Sequence, residues 1–60
     1  MKLNVRLGKF RVEQRYTYRA MAELLSIPLS LVYDFVNARV ARIDPDIAIN
    51  IDTVLKERGY

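Results

Sequence analysis

Residues 17–38 have the sequence TYRAMAELLSIPLSLVYDFVNA, and this stretch decides the fold of the chain. Thr17 is a good helix N-cap residue and predicts a helix over about 18–25. Pro28 disfavours helix in the residue before it but suits a first turn, so a second helix is predicted over about 28–37. The inward face of the first helix is predicted to be Met21, Ala22 and Leu25. Two short helices joined by so short a segment define a helix-turn-helix unit.

The packing requirements of such a unit are met by side chains at the expected spacing. Ala22 is the small residue needed where the two helices cross, and Ile27 is an apolar plug in the turn. Val32 and Phe35 give the second helix its core contacts. Ser26 stands where a glycine is usual, because that position needs a positive φ. We expect Leu31 and Val36 to be buried as well, while the outward side chains are Leu29, Ser30, Tyr33, Asp34 and Asn37.

The last helix is predicted by its start, its stripe and its end. Asp44 is a good N-cap residue, and Pro45 after it suits the first helical position. Gly59 suits the position just after the end of the helix. The helix is predicted over about 45–58, and Ile49 lies off its apolar stripe. That stripe consists of Ile47, Ile51, Val54 and Leu55.

The first sixteen residues fit two structures. Leu3, Leu7 and Phe10 have the spacing of a helical stripe over about 2–14. The apolar residues also alternate with polar ones on either side of Gly8-Lys9, which is the pattern of a β-hairpin. A helix leaves Val5 and Val12 on the wrong side, so the alternation alone slightly favours the hairpin.

The charge of the chain is concentrated in its first two thirds. Residues 1–42 carry eight Lys and Arg against three acids, whereas residues 43–60 carry two against four. A polyanion would therefore dock on the first part. The absence of cysteine and histidine excludes disulfides and the common zinc sites. No apolar run approaches the roughly 20 residues of a membrane-spanning helix.

Two resemblances to known families cover nearly the whole chain. The run RLGKFRVEQRYTYRAMAELLSIP (6–28) resembles the opening of the XRE family of phage Cro and repressor-like helix-turn-helix proteins. The stretch 17–38, followed by IDPDIAINIDTVLKERGY (43–60), is similar to the headpiece of lactose-repressor-type regulators. The first resemblance favours the helix over the hairpin. We therefore predict one all-α domain over 1–60, a four-helix fold containing a helix-turn-helix, with an N-terminal hairpin followed by three helices as the alternative.

The resemblance implies that the protein is a sequence-specific double-stranded DNA-binding regulator with its recognition helix in the major groove. The residues that it places at the bases are Tyr18, Leu29, Ser30, Tyr33, Asp34 and Asn37. Those that it places at the phosphates are Arg15, Thr17, Arg19, Arg39 and Arg42. The recognition helix has no Arg or Gln, so a bidentate purine contact must come from Asn37 or from outside the helix.

A small domain without disulfides or a structural metal is often stabilised by self-association, so we expect a homodimer. Its contacts would come from either Val5 and Val12 or Ile49 and Tyr60. The resemblance implies the prokaryotic cytoplasm or nucleoid, or the host cytoplasm for a virus-encoded factor. We expect no enzymatic activity, no cofactor or metal, no small-molecule substrate and no membrane partner. The alternative function is a helix-turn-helix scaffold that binds a protein partner through the apolar outward face of helix 28–37.

Overall fold

Four α-helices form the chain in the computed structural model, which describes residues 1–40 and 42–60. They are α1 (Leu3–Glu13), α2 (Tyr18–Leu25), α3 (Leu29–Val36) and α4 (Pro45–Glu57). Helix α1 packs against α3 and α4, and α2 packs against the same two helices. No strand occurs within the described residues, and the all-α four-helix fold predicted from the sequence is confirmed.

The core is small and apolar, with each helix contributing from one face. Val32 of α3 is fully buried, and the half-buried Phe35 and Val36 pack against the core. The sequence prediction that Leu31 and Val36 are buried is wrong in degree, because both are only half-buried and Leu31 does not pack against the core. None of the helices that the structure describes is long and apolar enough to span a bilayer. The buried side chains of the core are Leu7, Phe10, Met21, Ala22, Leu25, Val32, Ile51 and Leu55.

The hairpin alternative for the N-terminal residues is wrong, because α1 occupies them. As a helix, the segment buries Leu7 and Phe10. The ring of Phe10 lies 4.9 Å from that of Tyr16 and 5.3 Å from that of Tyr60, measured between centroids. Such aromatic contacts add stability beyond the burial of apolar area. Helix formation in this segment leaves two apolar side chains on its outer face, Val5 at 50% and Val12 at 63% exposure.

Two helix starts are capped as the sequence predicts. The hydroxyl oxygen of Thr17 accepts a hydrogen bond of 3.0 Å from the Ala20 N–H at the start of α2. At the start of α4 the carboxylate of Asp44 accepts one of 2.8 Å from the Asp46 N–H. Each cap satisfies a backbone donor that has no partner within its helix.

A residue in the left-handed conformation ends each of these four helices. In every case the next N–H bonds to a carbonyl five residues back, the hydrogen bond of a Schellman motif. The left-handed residues are Arg15, Ser26, Ala38 and Gly59, with φ of 56°, 56°, 57° and 82°. These hydrogen bonds run from the N–H of Tyr16 to the carbonyl of Arg11 (2.9 Å), from Ile27 to Ala22 (3.1 Å), from Arg39 to Asp34 (2.7 Å) and from Tyr60 to Leu55 (2.8 Å).

The turn between α2 and α3 depends on Ser26, whose φ and ψ of 56° and 43° are those expected for a glycine position. The positive φ predicted there from the sequence is confirmed, although the residue carries a Cβ. After it, Ile27 turns back and packs against the core. The chain thus reverses between α2 and α3 within three residues, and this reversal sets the two helices side by side.

Polar contacts join α1 and α2 to α4 and to the residue at the end of the chain. The guanidinium of Arg6 contacts the carboxylate of Asp52 at 2.6 Å and donates to the main-chain oxygen of Tyr60 at 3.0 Å. The side-chain amide of Asn50 donates to the Leu25 carbonyl at 3.1 Å, which satisfies an acceptor left over at the end of α2. The hydrogen bond from Arg6, and then that from Lys56 at 3.1 Å, hold the pKa of Asp52 below its usual 3.8.

Replacement of Ser26 with glycine should stabilise the protein. Glycine adopts the left-handed conformation without the steric cost that a Cβ brings, so Ser26→Gly should raise the free energy of unfolding by about 0.5–1 kcal/mol. Urea denaturation followed by circular dichroism measures this change. The matched control is Gly59→Ala, which should lower stability although its Cβ would meet nothing within 4 Å. A Ser26→Gly protein no more stable than the parent would show that the turn is not strained.

The lowered pKa of Asp52 predicts an acid-sensitive contribution to stability. A carboxyl with a depressed folded-state pKa stabilises the fold above its unfolded pKa, and this contribution disappears as the pH falls through the folded value. Asp52→Asn should therefore lower the Tm at pH 7 and flatten the fall of Tm below about pH 4. Thermal melts between pH 2 and 7 test this, and an acid limb identical to that of the parent protein would contradict it.

Candidate functional site

The helices α2 and α3 form a shared depression on the protein surface, with a volume of about 470 Å³. We call this the α2–α3 surface. Five of the six predicted base-contacting residues lie in it, together with one predicted phosphate-contacting residue. The reversal at Ser26 brings them together, because it places the start of α2 beside the first turns of α3. The lining residues are Tyr18, Arg19, Leu29, Ser30, Tyr33 and Asp34.

Two tyrosine rings meet on this surface. The rings of Tyr18 and Tyr33 lie 5.2 Å apart between centroids in an edge-to-face arrangement, with planes at 65°. Asn37 joins them, since its amide nitrogen donates to the Tyr33 carbonyl at 2.8 Å and to the Tyr18 hydroxyl at 3.4 Å. The Asn37 amide thus makes one short and one long hydrogen bond within the protein, both at exposed positions, and its predicted contact with a base stays a prediction.

An arginine lies against each ring of the tyrosine pair. The guanidinium carbon of Arg11 is 4.5 Å from the centroid of the Tyr18 ring, and that of Arg39 is 5.5 Å from the centroid of the Tyr33 ring. Both distances suit a cation–π interaction. Arg11 also donates to the Tyr16 carbonyl at 3.3 Å, while its buried Nε has no hydrogen-bond partner among the described residues. The four side chains form one continuous set of contacts in the order Arg11, Tyr18, Tyr33 and Arg39, which we call the arginine–tyrosine cluster.

The other predicted phosphate-contacting residues lie on α2 or on the segments that flank α2 and α3. Arg15 is the exposed left-handed residue that ends α1, and Arg42 is exposed beyond α3. Thr17 uses a lone pair to cap α2, which leaves its hydroxyl hydrogen available to an outside acceptor. These residues and the exposed Arg19 are compatible with one extended contact region, and their predicted roles stay predictions.

The outward face of α3 carries two adjacent rows of side chains. Leu29 and Tyr33, four residues apart, form an apolar row in which the side chains are 43% and 42% exposed. Ser30 and Asp34 form a polar row beside it, and Asp34 is half-buried in the depression. The helix therefore presents an apolar strip next to hydroxyl and carboxylate oxygens, with no guanidinium or amide of its own.

The sequence did not predict a role for Arg11, which lies at one end of the arginine–tyrosine cluster. The signal was present in residues 11–19, where arginines and tyrosines follow one another closely. A basic segment interleaved with aromatic residues indicates stacking between guanidinium groups and rings. The helical pattern of α1 hid this signal, because Arg11 counted only as a polar residue beside the apolar stripe.

A second depression, of about 370 Å³, lies between α1 and the end of the chain. Its polar groups serve the fold, since the Tyr60 hydroxyl donates to Glu13 at 2.7 Å and accepts from Gln14 at 3.0 Å. Among residues 1–40 and 42–60, no group of three histidine, cysteine or acidic residues could hold a metal ion. Comparisons with protein-family models, with curated proteins and with solved structures return no match.

The contact between Tyr18 and Tyr33 should be measurable as a coupling energy. In a double-mutant cycle of Tyr18→Ala and Tyr33→Ala, we expect the two losses of unfolding free energy to be non-additive by about 0.5–1.5 kcal/mol, the range for aromatic pairs. The control cycle pairs Tyr33→Ala with Tyr16→Ala, because the ring of Tyr16 contacts Phe10 instead. Additive losses in the first cycle would contradict the arrangement of the two rings.

Proposed function

We propose that the protein binds double-stranded DNA with sequence preference, as a small Cro- or repressor-like regulator. The observation that carries the proposal is the α2–α3 surface, in which the start of one short helix and the outward face of the next share one depression. In helix-turn-helix proteins the second helix enters the major groove and its N-terminal residues contact base edges. Leu29 and Ser30 are the first two residues of α3, and both belong to the depression.

Charge around the depression supports binding to a polyanion. Four exposed arginines lie on α2 or on the segments that flank the two helices, and residues 1–42 have a net charge of +5. Phosphate contacts supply most of the affinity of such proteins, whereas base edges supply the preference. The proposed phosphate-binding arginines are Arg15, Arg19, Arg39 and Arg42.

A homodimer belongs to the same proposal, since two copies would place their α3 helices in successive major grooves about 34 Å apart. The exposed residues Val5 and Val12 on α1, and Ile49 on α4, offer apolar contacts for it. Tyr60 is less suited, because its ring packs on Phe10 and its hydroxyl bonds to Glu13. A two-fold repeat in the preferred DNA sites would support the dimer.

The second candidate function is recognition of a protein partner through the same depression. The exposed apolar row of Leu29 and Tyr33 favours it, and the carboxylate of Asp34 would repel a nearby phosphate. The two functions respond differently to salt. Phosphate contacts weaken steeply as salt rises, whereas burial of an apolar row does not.

The first test is the affinity for a labelled random-sequence duplex, measured by fluorescence anisotropy at about 50 and 200 mM salt. Each neutralised phosphate contributes a slope of about −0.9 to the plot of log K against log salt. Four arginine contacts therefore predict a loss of affinity on the order of 100-fold between these two salt concentrations for a bound monomer, and eight contacts predict a loss on the order of 10⁴-fold for a bound dimer. Absence of binding at 50 mM salt would overturn the proposal and leave the protein-partner function.

Arginine variants locate the phosphate contacts. Arg42→Ala should weaken binding to all duplexes alike and reduce the salt slope by about one unit per protomer. The matched control is Arg58→Ala, which removes an equally exposed arginine from the end of α4, outside the proposed surface. Equal effects of the two substitutions would indicate a general attraction to the positively charged protein rather than a defined surface.

A further inference from the structure

The groups that α3 presents on the α2–α3 surface suit one feature of the major groove. Bidentate hydrogen bonds to guanine or adenine need a guanidinium or an amide, and α3 has neither. Asn37, which follows α3, donates to Tyr33 and Tyr18 within the protein. At the start of the helix the exposed groups are the hydroxyl of Ser30 and the apolar side chain of Leu29, and the feature of the major groove that matches an apolar side chain is the 5-methyl group of thymine.

We propose that Leu29, with the rings of Tyr18 and Tyr33 beside it, forms a seat for the 5-methyl group of a pyrimidine. This inference rests on the proposed function. Leu29 is the first residue of α3, at the end of a recognition helix that reaches base edges, and it lies in the depression with both rings. Thymine presents such a methyl group, and 5-methylcytosine presents the same group at the same position.

The seat is largely formed before any ligand arrives. The two rings contact each other, Arg11 lies against the ring of Tyr18, and Arg39 lies against the ring of Tyr33. Side chains that are already ordered lose little conformational entropy on binding, so more of the gain from burying a methyl group is retained as affinity. The arginines also surround this apolar site with positive charge, which favours a methyl group carried by DNA over an isolated apolar ligand.

Asp34 distinguishes thymine from 5-methylcytosine as the base that carries the methyl group. Its carboxylate lies in the same depression and accepts hydrogen bonds. Beside its methyl group, 5-methylcytosine carries an amino donor, whereas thymine carries an oxygen acceptor. Close to both Leu29 and Asp34, 5-methylcytosine therefore gains a hydrogen bond, whereas the O4 of thymine would face the carboxylate. Thymine is disfavoured only where the base also approaches Asp34.

The experiment begins with selection of preferred sites from a random duplex pool. Each thymine in the best site is then replaced singly by deoxyuridine, which removes only the methyl group, and each cytosine is replaced singly by 5-methylcytosine. Burial of one methyl group is worth about a fourfold change in Kd. We expect an approximately fourfold loss at one or more thymines, or a gain of the same size at one or more cytosines.

The Leu29→Ala variant assigns the effect to this side chain. Leu29 is partly exposed at a helix start, and the circular dichroism of the variant verifies that the helices remain. The variant should bind methylated and unmethylated duplexes within about twofold of each other. The control variant Arg42→Ala should weaken binding to both duplexes by the same factor and keep their ratio, because its proposed partner is a phosphate.

Each outcome of these measurements either supports or overturns the proposed seat. A methyl effect that disappears in Leu29→Ala supports the seat, and the substituted base identifies its source. Affinities within twofold after every substitution overturn the seat while leaving DNA binding intact, and so does a methyl effect that survives in Leu29→Ala. Absence of DNA binding at 50 mM salt overturns the proposed function, and the seat with it.

Discussion

The structure depends on a backbone constraint at the helix ends, where one left-handed residue reverses the chain. Four such residues stop four helices, and only Gly59 has no Cβ. Each reversal also satisfies a carbonyl that the helix end would leave without a partner. A chain of 60 residues has little room for long loops, so these turns make four short helices possible around one core. The conformational cost at Arg15, Ser26 and Ala38 is offset by the burial that each reversal allows.

Polar contacts between helices add to the apolar core in fixing the helices relative to one another. Arg6 links α1 to both Asp52 and the main chain of Tyr60, while Asn50 of α4 satisfies the end of α2. These contacts join residues 25 to 54 positions apart, so they close the fold over long sequence separations. They lie on the side of the molecule formed with α4, whereas on the outward side α2 and α3 are joined by the contact of Tyr18 with Tyr33 and by the hydrogen bonds of Asn37.

The sequence predicted the fold well where a local cause determines it. Thr17, Pro28 and Asp44 mark helix starts through their own chemistry, and the positive φ at Ser26 follows from the geometry of the turn. The N-terminal segment was harder, because its apolar residues satisfy both the helical and the strand period. Tertiary contacts decided it, through Phe10 packing between Tyr16 and Tyr60. The polar contacts of Arg6, Arg11 and Asn50 leave no periodic signal, and the commitment of Asn37 to the tyrosine pair depends on contacts that spacing does not reveal.

The turn that completes the fold also creates the candidate site, and this coupling explains the chemistry of the site. Tyr18 and Tyr33 are fifteen positions apart, and they meet only because the chain reverses at Ser26. Once they meet, their rings hold Arg11 and Arg39 near the depression, so apolar area and positive charge lie together without an ion pair between them. A guanidinium that lies against a ring keeps N–H groups and an unneutralised charge for an outside acceptor, whereas a carboxylate partner occupies some of those N–H groups and offsets the charge. The surface can therefore be ordered in advance and still attract an anion.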